Sequence, residues 1–365
     1  MKITDIKITT VDLGELETPF WNSIIKTTTT RRGRVEIYTD EGVVGMAPCS
    51  ASAGDRVTVL GPIRNKLLNE DPLRIGYLWD KMYMGRTRKP VAKGDYIVAM
   101  SVVDNALWDL KGKILGQPVW KLAGGTQDRV WVYAAGGYYA EGKGLKELAA
   151  ELESYAADGF GAVKMKVGWP GVTLREDAER VRAVREAIGP DVELMVDANN
   201  AWDANTAIRF GRMMEKYDPF WFEEPVHADD LKGAVKVAAA LDTPVATGEN
   251  EYTRWGFRDL IETGGVEVVQ ADPNICGGIS EWIRIATLAS ANHLKVSPHG
   301  NPNVGSCCVA AVENGLITEN YPTSFKNVIM GPVDFRKDGY IYMSETPGLG
   351  IDWDEKALEK FKTDA

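Results

Sequence analysis

After residue 127 the chain settles into a repeating pattern of apolar and polar positions. Short apolar runs near Val130, Ala162, Val192, Phe220, Pro244, Val266 and Leu294, and a weaker one near Leu316, recur at intervals of 22 to 32 residues. Amphipathic stretches such as Leu145–Ala157, Leu174–Ile188 and Ala204–Tyr217 lie between them. A strand buried on both faces reads as a continuous apolar run, and a helix covering a sheet carries its apolar residues at helical spacing. Their alternation at this interval predicts βαβ units on a parallel sheet. Eight such units in succession favour a closed (β/α) barrel over an open sheet.

The first third has a different rhythm. Arg34–Met46 is two alternating strands around Asp40-Glu41-Gly42, a hairpin signal, and Thr27–Thr30 before it has β-branched strand character. From Tyr96 to Leu115 the apolar positions Val98, Val102, Leu107, Leu110 and Ile114 fall at helical spacing, and Gly116 and Pro118 end that helix. Residues 1–127 therefore read as an α+β unit and 128–325 as the barrel. In 326–365, Tyr340–Met343 and Pro347-Gly348-Leu349-Gly350 are expected to return to the first unit.

Composition narrows the function. The 365 residues are 44% apolar and 26% charged, a globular mixture. No uninterrupted apolar stretch is long enough for a membrane span, and Met1–Asp12 lacks the apolar core of a signal peptide. A net charge of −10 opposes a phosphate backbone, which argues against nucleic acid but not against a small anion in a locally positive pocket. The cysteines Cys49, Cys276, Cys307 and Cys308 form no zinc spacing and are expected to be small, reduced core residues. The expected compartment is the cytoplasm.

Chemistry collects where the strands end. Lys164 and Lys166 are two apart on one strand and so share a face. Two neighbouring ammoniums disfavour each other's charge, which would make one of them a base near neutral pH. Asp197, Glu223 and Glu249 each close an apolar run and are spaced by 26 residues, so each holds the same place in successive units. Three buried carboxylates at one barrel mouth repel unless a cation joins them, and an all-oxygen ligand set favours Mg²⁺. Asp272 and His299 follow in phase, 27 residues apart. An Asp beside a His fixes its tautomer and stabilises its protonated form. Of the other histidines, His293 precedes its strand and His227 lies in a loop. Glu319 extends the ring one unit further. With Lys166 on strand two and His299 on strand seven, bases would flank a ligand from two sides. That arrangement suits removal of the weakly acidic proton α to a carboxylate.

Lys164-Met165-Lys166, Val196-Asp197-Ala198-Asn199, Trp221-Phe222-Glu223-Glu224-Pro225, Gly248-Glu249-Asn250, Asp272 and Pro298-His299-Gly300 together make the chain resemble the enolase superfamily, within it the mandelate racemase subgroup. The resemblance spans essentially the whole chain. It implies a modified (β/α)7β barrel with an α+β N-terminal capping domain completed by the C-terminal segment. It implies Mg²⁺ on Asp197, Glu223 and Glu249, with Lys166 and the His299–Asp272 dyad as acid and base in either order. Lys164 would neutralise the substrate carboxylate and Glu319 would hydrogen-bond it. Asn199 and Trp21 become candidate substrate contacts. Cap loops around Thr18–Ser23 and Met46–Ala53 would close over the site, with Trp21 either a lid residue or part of the cap core. A homo-oligomer, often an octamer, is implied.

The run Gly248–Phe257 resembles acid-sugar dehydratases of the rhamnonate type, while the paired lysines pull toward racemase-like and tartrate- or galactarate-type members. The leading expectation is a hydro-lyase that converts an acid sugar through an enediolate to a 2-keto-3-deoxy acid. Its rivals are a racemase or epimerase of a 2-hydroxy acid, a hydroxyproline-type dehydratase or epimerase, a Schiff-base aldolase, and a barrel retained only for binding.

Overall fold

A computed structural model describes residues 1–50, 53–84, 91–322 and 329–363. The expected barrel boundary at residue 325 lies outside the described residues, as do residues 51 and 52 of the second lid loop.

The cap begins with a long strand, Ile3–Trp21, antiparallel to Lys26–Thr39, which pairs in turn with Val44–Cys49. The turn at Asp40–Gly42 joins the last two strands, as the hairpin signal predicts. The helix Asp95–Leu115 packs on this sheet and is apolar nearly all round, the mark of a helix buried on most faces. One side meets the cap strands. The opposite side meets the barrel and carries a polar row, Ser101, Asp104 and Asn105, all fully buried.

Each predicted apolar run becomes a barrel strand. The eight are Arg129–Ala135, Ala162–Lys166, Glu193–Asp197, Pro219–Glu223, Val245–Thr247, Val268–Val269, Lys295–Val296 and Thr318–Asn320. Neighbours along this series are parallel, and the eighth strand is parallel to the first. Val296 N donates to Asn314 O and Leu316 N to Val296 O, which closes the ring between strands seven and eight. Strand alternation then sorts the side chains. Val163, Met165, Leu194, Val196 and Phe222 face the surrounding helices, whereas Tyr133, Met195 and Trp221 fill the barrel interior. Lys164, Lys166, Asp197 and Glu223 share the inward parity. Register adds to this, since Lys166 lies opposite Asp197 and Asp197 opposite Glu223.

The C-terminal segment divides its contacts, which corrects one expectation. Tyr340–Tyr342 pairs antiparallel with the first barrel strand, not with the cap, because Ile341 buries against the barrel's outer apolar layer. The cap is reached further on. Leu349 N donates to Asp109, and Lys362–Thr363 adds a strand beside Thr10–Val11.

The polar row of Asp95–Leu115 grips the loop that follows strand six. Asn105 donates to Pro273 O and Asn274 Oδ1 and accepts from Ile279 N, Ser101 accepts from Gly277 N, and Asp104 accepts from Ser280 N and Oγ. At Gly278 the backbone sits at φ +86°, and a Cβ there would come within 2.4 Å of Asp104. Gly278→Ala should therefore combine a conformational cost with overpacking and lower stability by about 2–5 kcal/mol. Denaturant unfolding would check this; a loss under ~1 kcal/mol would show that the loop relaxes freely.

Candidate active site

The inward parity of strands two to four brings four charges together in burial, Lys164, Asp197 and Glu223 with no exposure and Lys166 with almost none. Lys164 Nζ donates to Glu223 Oε1 at 2.5 Å and to Tyr133 OH at 3.2 Å, and pairs with Glu319 Oε1 at 2.9 Å. Lys166 Nζ pairs with Asp197 Oδ2. Asp197 Oδ1 accepts from Asn199 N at 2.7 Å, and Glu223 Oε2 accepts from Trp221 Nε1 and Gln270 Nε2, each at 2.8 Å. Buried ions persist only when paired and hydrogen-bonded in this way.

These contacts reverse the expected titration of the lysines. Burial alone would lower both, but Glu223 and Glu319 hold Lys164 well above the ordinary lysine value, and Asp197 raises Lys166 likewise. Repulsion between the two ammoniums is the smaller effect while carboxylates face them. Burial, helped by Asp197, pushes Glu223 up to about 7. Burial raises Glu249 too. Glu319 goes the other way, down to about 2, because Lys164 and His299 outweigh its burial.

Across the mouth, His299 Nδ1 lies 2.8 Å from Asp272 Oδ2, so Nδ1 is committed to the aspartate and Nε2 faces the site. Nε2 is 3.5 Å from Glu249 Oε2, 3.8 Å from Glu319 Oε2 and 3.4 Å from Tyr321 OH. Burial opposes the imidazolium, but Glu249, Glu319 and Asp272 together raise His299 well above the ordinary histidine value. Glu319 Oε2 also accepts from Gly300 N at 2.9 Å and Tyr321 OH at 2.7 Å. His227 is exposed, and His293 sits before strand seven, away from this group.

The first cap loop reaches the barrel. Trp21 packs 5.6 Å from Trp169, just beyond strand two, and Ser23 Oγ donates to Asn199 O at 2.7 Å. Trp21 thus contacts the barrel as well as the cap. Among the described residues, Trp21 Nε1, Asn199 Oδ1 and Glu249 Oε2 are buried without a hydrogen-bond partner. From the second loop, Cys49 and Ser50 line a cavity of about 420 Å³ beside His299 and Asp272.

Four residues of the site had no role in the sequence reading. Gln270 and Tyr321 lie two positions from Asp272 and Glu319, the spacing that shares a strand face, so that signal was present. Tyr133 was hidden in an apolar run. Glu224 is buried and held by Asn200 Nδ2 at 2.6 Å and Asn250 Nδ2 at 2.7 Å. Burial and Glu249 raise it well above the usual carboxylate value.

Asp197, Glu223 and Glu249 are the side chains that could hold a divalent cation. Among the described residues no three acidic, His or Cys side chains close on one point as a ready cage, because the two lysines take up oxygens of Asp197 and Glu223. The donor set still fits a hard cation. It is all carboxylate, it occupies adjacent strand ends, and the buried Glu249 Oε2 makes no hydrogen bond among the described residues, with the His299 imidazole facing it at 3.5 Å.

Comparison with known proteins agrees with this architecture. Residues 5–124 match the mandelate racemase/muconate lactonizing enzyme N-terminal domain, and residues 147–357 the enolase C-terminal domain-like family. The chain is 36% identical to the arabinonate dehydratase of Saccharolobus solfataricus, over 90% of this chain and 89% of that one. It is 31% identical to the D-galactarolactone cycloisomerase of Agrobacterium fabrum, over 99% of both. The structure superposes with a TM-score of 0.89 on a mutant L-talarate/galactarate dehydratase solved with Mg and L-glucarate, at 32% identity, covering 99% of this chain and 92% of that one. With both domain models matched in order and the fold shared along its length, the chain belongs to the enolase superfamily, in its mandelate racemase subgroup.

Proposed function

We propose that the protein is a Mg²⁺-dependent acid-sugar dehydratase that removes the proton α to a carboxylate and expels the 3-hydroxyl, giving a 2-keto-3-deoxy acid. The observation that carries this reading is the pair of proton-transfer groups on two sides of three buried carboxylates: Lys166 on Asp197, and an Asp272-backed His299 beside Glu249.

Asp197, Glu223 and Glu249 hold the cation. When bound, it supplies positive charge to the carboxylate oxygens on which charge builds as the α-proton leaves. With those side chains engaged, Lys166 would lose the Asp197 carboxylate that keeps it charged, while Lys164 keeps Glu319, and repulsion from that ammonium would favour a neutral Lys166. Lys166 takes the α-proton to leave an enediolate, whose electron pair then forms the C2–C3 double bond as the C3–O bond breaks; the resulting enol loses its hydroxyl proton and gains one at C3 to become the 2-keto acid. Hydroxide is a poor leaving group, so His299, kept protonated by its acidic neighbours, delivers a proton and water departs. Lys164 stays charged against the substrate carboxylate, and Glu319 holds that carboxylate's other edge. Trp21 Nε1 and Asn199 Oδ1, an orphaned donor and an orphaned acceptor, are suited to sugar hydroxyls, which do both.

An isomerase reading, racemase or cycloisomerase, draws on the same two-sided arrangement, since a second acid can return the proton to the opposite face. Incubation of acid sugars with Mg²⁺ in D₂O, with semicarbazide detection of 2-keto products, separates the readings. The dehydratase gives a keto acid. Deuterium at Cα without a keto product would replace it by an isomerase.

A further inference from the structure

The helix Leu174–Ile188 follows strand two and turns an apolar face to the barrel. Two charged residues interrupt that face one turn apart: Asp177, with no exposure, and Arg180, 6% exposed. Charges are costly in such a place unless they are paired and hydrogen-bonded. Neither belongs to the group of lysines and carboxylates at the barrel mouth.

Arg180 grips backbone from behind the site. Its Nη2 donates to Gly137 O at 2.9 Å and to Lys166 O at 3.2 Å. Gly137 lies in the loop after strand one, and Lys166 ends strand two. Lys166 N donates to the same Gly137 O at 3.4 Å, so one carbonyl receives both groups. Gly137 is itself pinned, since its φ is +61° and a Cβ there would come within 2.6 Å of Met165 Cβ. The guanidinium is held in turn. Its Cζ stands 4.0 Å from the centre of the Tyr139 ring, and its Nε lies 3.6 Å from Asp177 Oδ1. Asp177 accepts from Tyr139 OH at 2.5 Å and from Gly168 N at 2.9 Å, and Tyr139 OH accepts from Trp169 N at 3.3 Å. The end of strand two and the loop beyond it are thus fastened to one buried cluster.

That cluster also meets the cap. Tyr139 is the register partner of Trp21 in a short antiparallel pairing, and Trp169 packs on the Trp21 ring. The cap strand therefore docks on the same ring that supports Arg180.

We propose that Arg180 is a positioning residue for Lys166: it fixes the end of strand two so that the lysine meets its substrate, and Tyr139 makes that hold depend on the docked cap strand. This rests on the reading in which Lys166 takes the α-proton. An apolar side chain of similar volume would fill the place at less cost. A charged planar donor on an aromatic face instead fixes two carbonyls that belong to separate loops.

Arg180→Met alone would strand a buried Asp177, so the test variant is Arg180→Met with Asp177→Asn, which removes both charges and leaves acceptors for Tyr139 and Gly168. Amide hydrogen exchange is read by mass spectrometry on the Mg²⁺-loaded full chain. Residues 165–169 should exchange at least about tenfold faster in the double variant, with the other barrel strands unchanged. Exchange of the α-proton with solvent is then followed on arabinonate, galactonate and galactarate. Its kcat should fall about 10²-fold, the scale of a misplaced catalytic group, while KM and the calorimetric Mg²⁺ affinity stay within about threefold. Arg180→Lys, which keeps a charged donor, should recover part of the loss. Unchanged protection of residues 165–169, a kcat like that of the wild type, or a fall in Mg²⁺ affinity as large as the fall in kcat would overturn the assignment. If residues 165–169 loosen as expected but the wild type exchanges no α-proton on any of the three acids, the hold on strand two stands and the proposed reaction falls.

Discussion

Lys166→Ala should lose both reactions of the proposed cycle: exchange of the α-proton with solvent and formation of the keto acid. The expected fall in kcat is at least about 10³-fold, within the range of a positioned general base. His299→Ala should lose keto-acid formation to a similar degree yet retain measurable α-proton exchange, because its proposed task is protonation of the leaving hydroxyl. The two variants therefore separate base from acid. Substantial keto-acid formation by Lys166→Ala would instead make His299 the proton-abstracting group. A stability signature accompanies the kinetic one. Lys166 pairs with the fully buried Asp197, so without a cation the Lys166→Ala protein should be destabilised by about 3–5 kcal/mol. Mg²⁺ should restore part of that loss, a readout that needs no substrate.

Removal of divalent cations with a chelator should abolish turnover and leave the fold intact, because in the cation-free protein the lysines already neutralise the carboxylates. Readdition of Mg²⁺ should restore activity and raise the melting temperature, with a stabilisation of about 2.7 kcal/mol at a hundredfold excess over Kd. The effect should depend on pH in a definite direction. Glu223 must be ionised to serve as a ligand, and its burial pushes it up to about 7. Below that value a proton competes with the cation; above it the competition fades. Mg²⁺ affinity should therefore rise as pH increases through about 7 and weaken as pH falls. An unchanged melting temperature at millimolar Mg²⁺ would overturn the assignment of Asp197, Glu223 and Glu249 as ligands.

Much of this architecture was legible in the residues. Eight apolar runs became eight strands, and Leu145–Ala157 and Leu174–Ile188 became helices with the same bounds, because buried parallel strands and amphipathic helices are written in local periodicity. The phase of Asp197, Glu223, Glu249, Asp272 and His299 was legible for the same reason. What the sequence hid was pairwise. Nothing in Lys164-Met165-Lys166 states that Lys166 faces a carboxylate on the next strand and Lys164 one a strand further on, and those partners reverse the sign of their titration. Glu224 and Tyr133 likewise draw their character from neighbours that only closure of the ring supplies. Tyr340–Tyr342 was placed on the wrong unit because an edge pairing is chosen by available backbone and a pocket for Ile341, neither visible in composition.

The grip of Ser101, Asp104 and Asn105 on residues 273–280 bears on how such a protein can diversify. The grasped loop begins beside Asp272, so the dyad's geometry is a joint property of two sequence-distant units. Lid loops can be rewritten without disturbing that bond, but the cap as a whole is not an interchangeable module. A chimera that imported a foreign cap would have to bring a matching loop after strand six. Variation in substrate choice is thereby steered toward the loop tips and away from wholesale domain exchange.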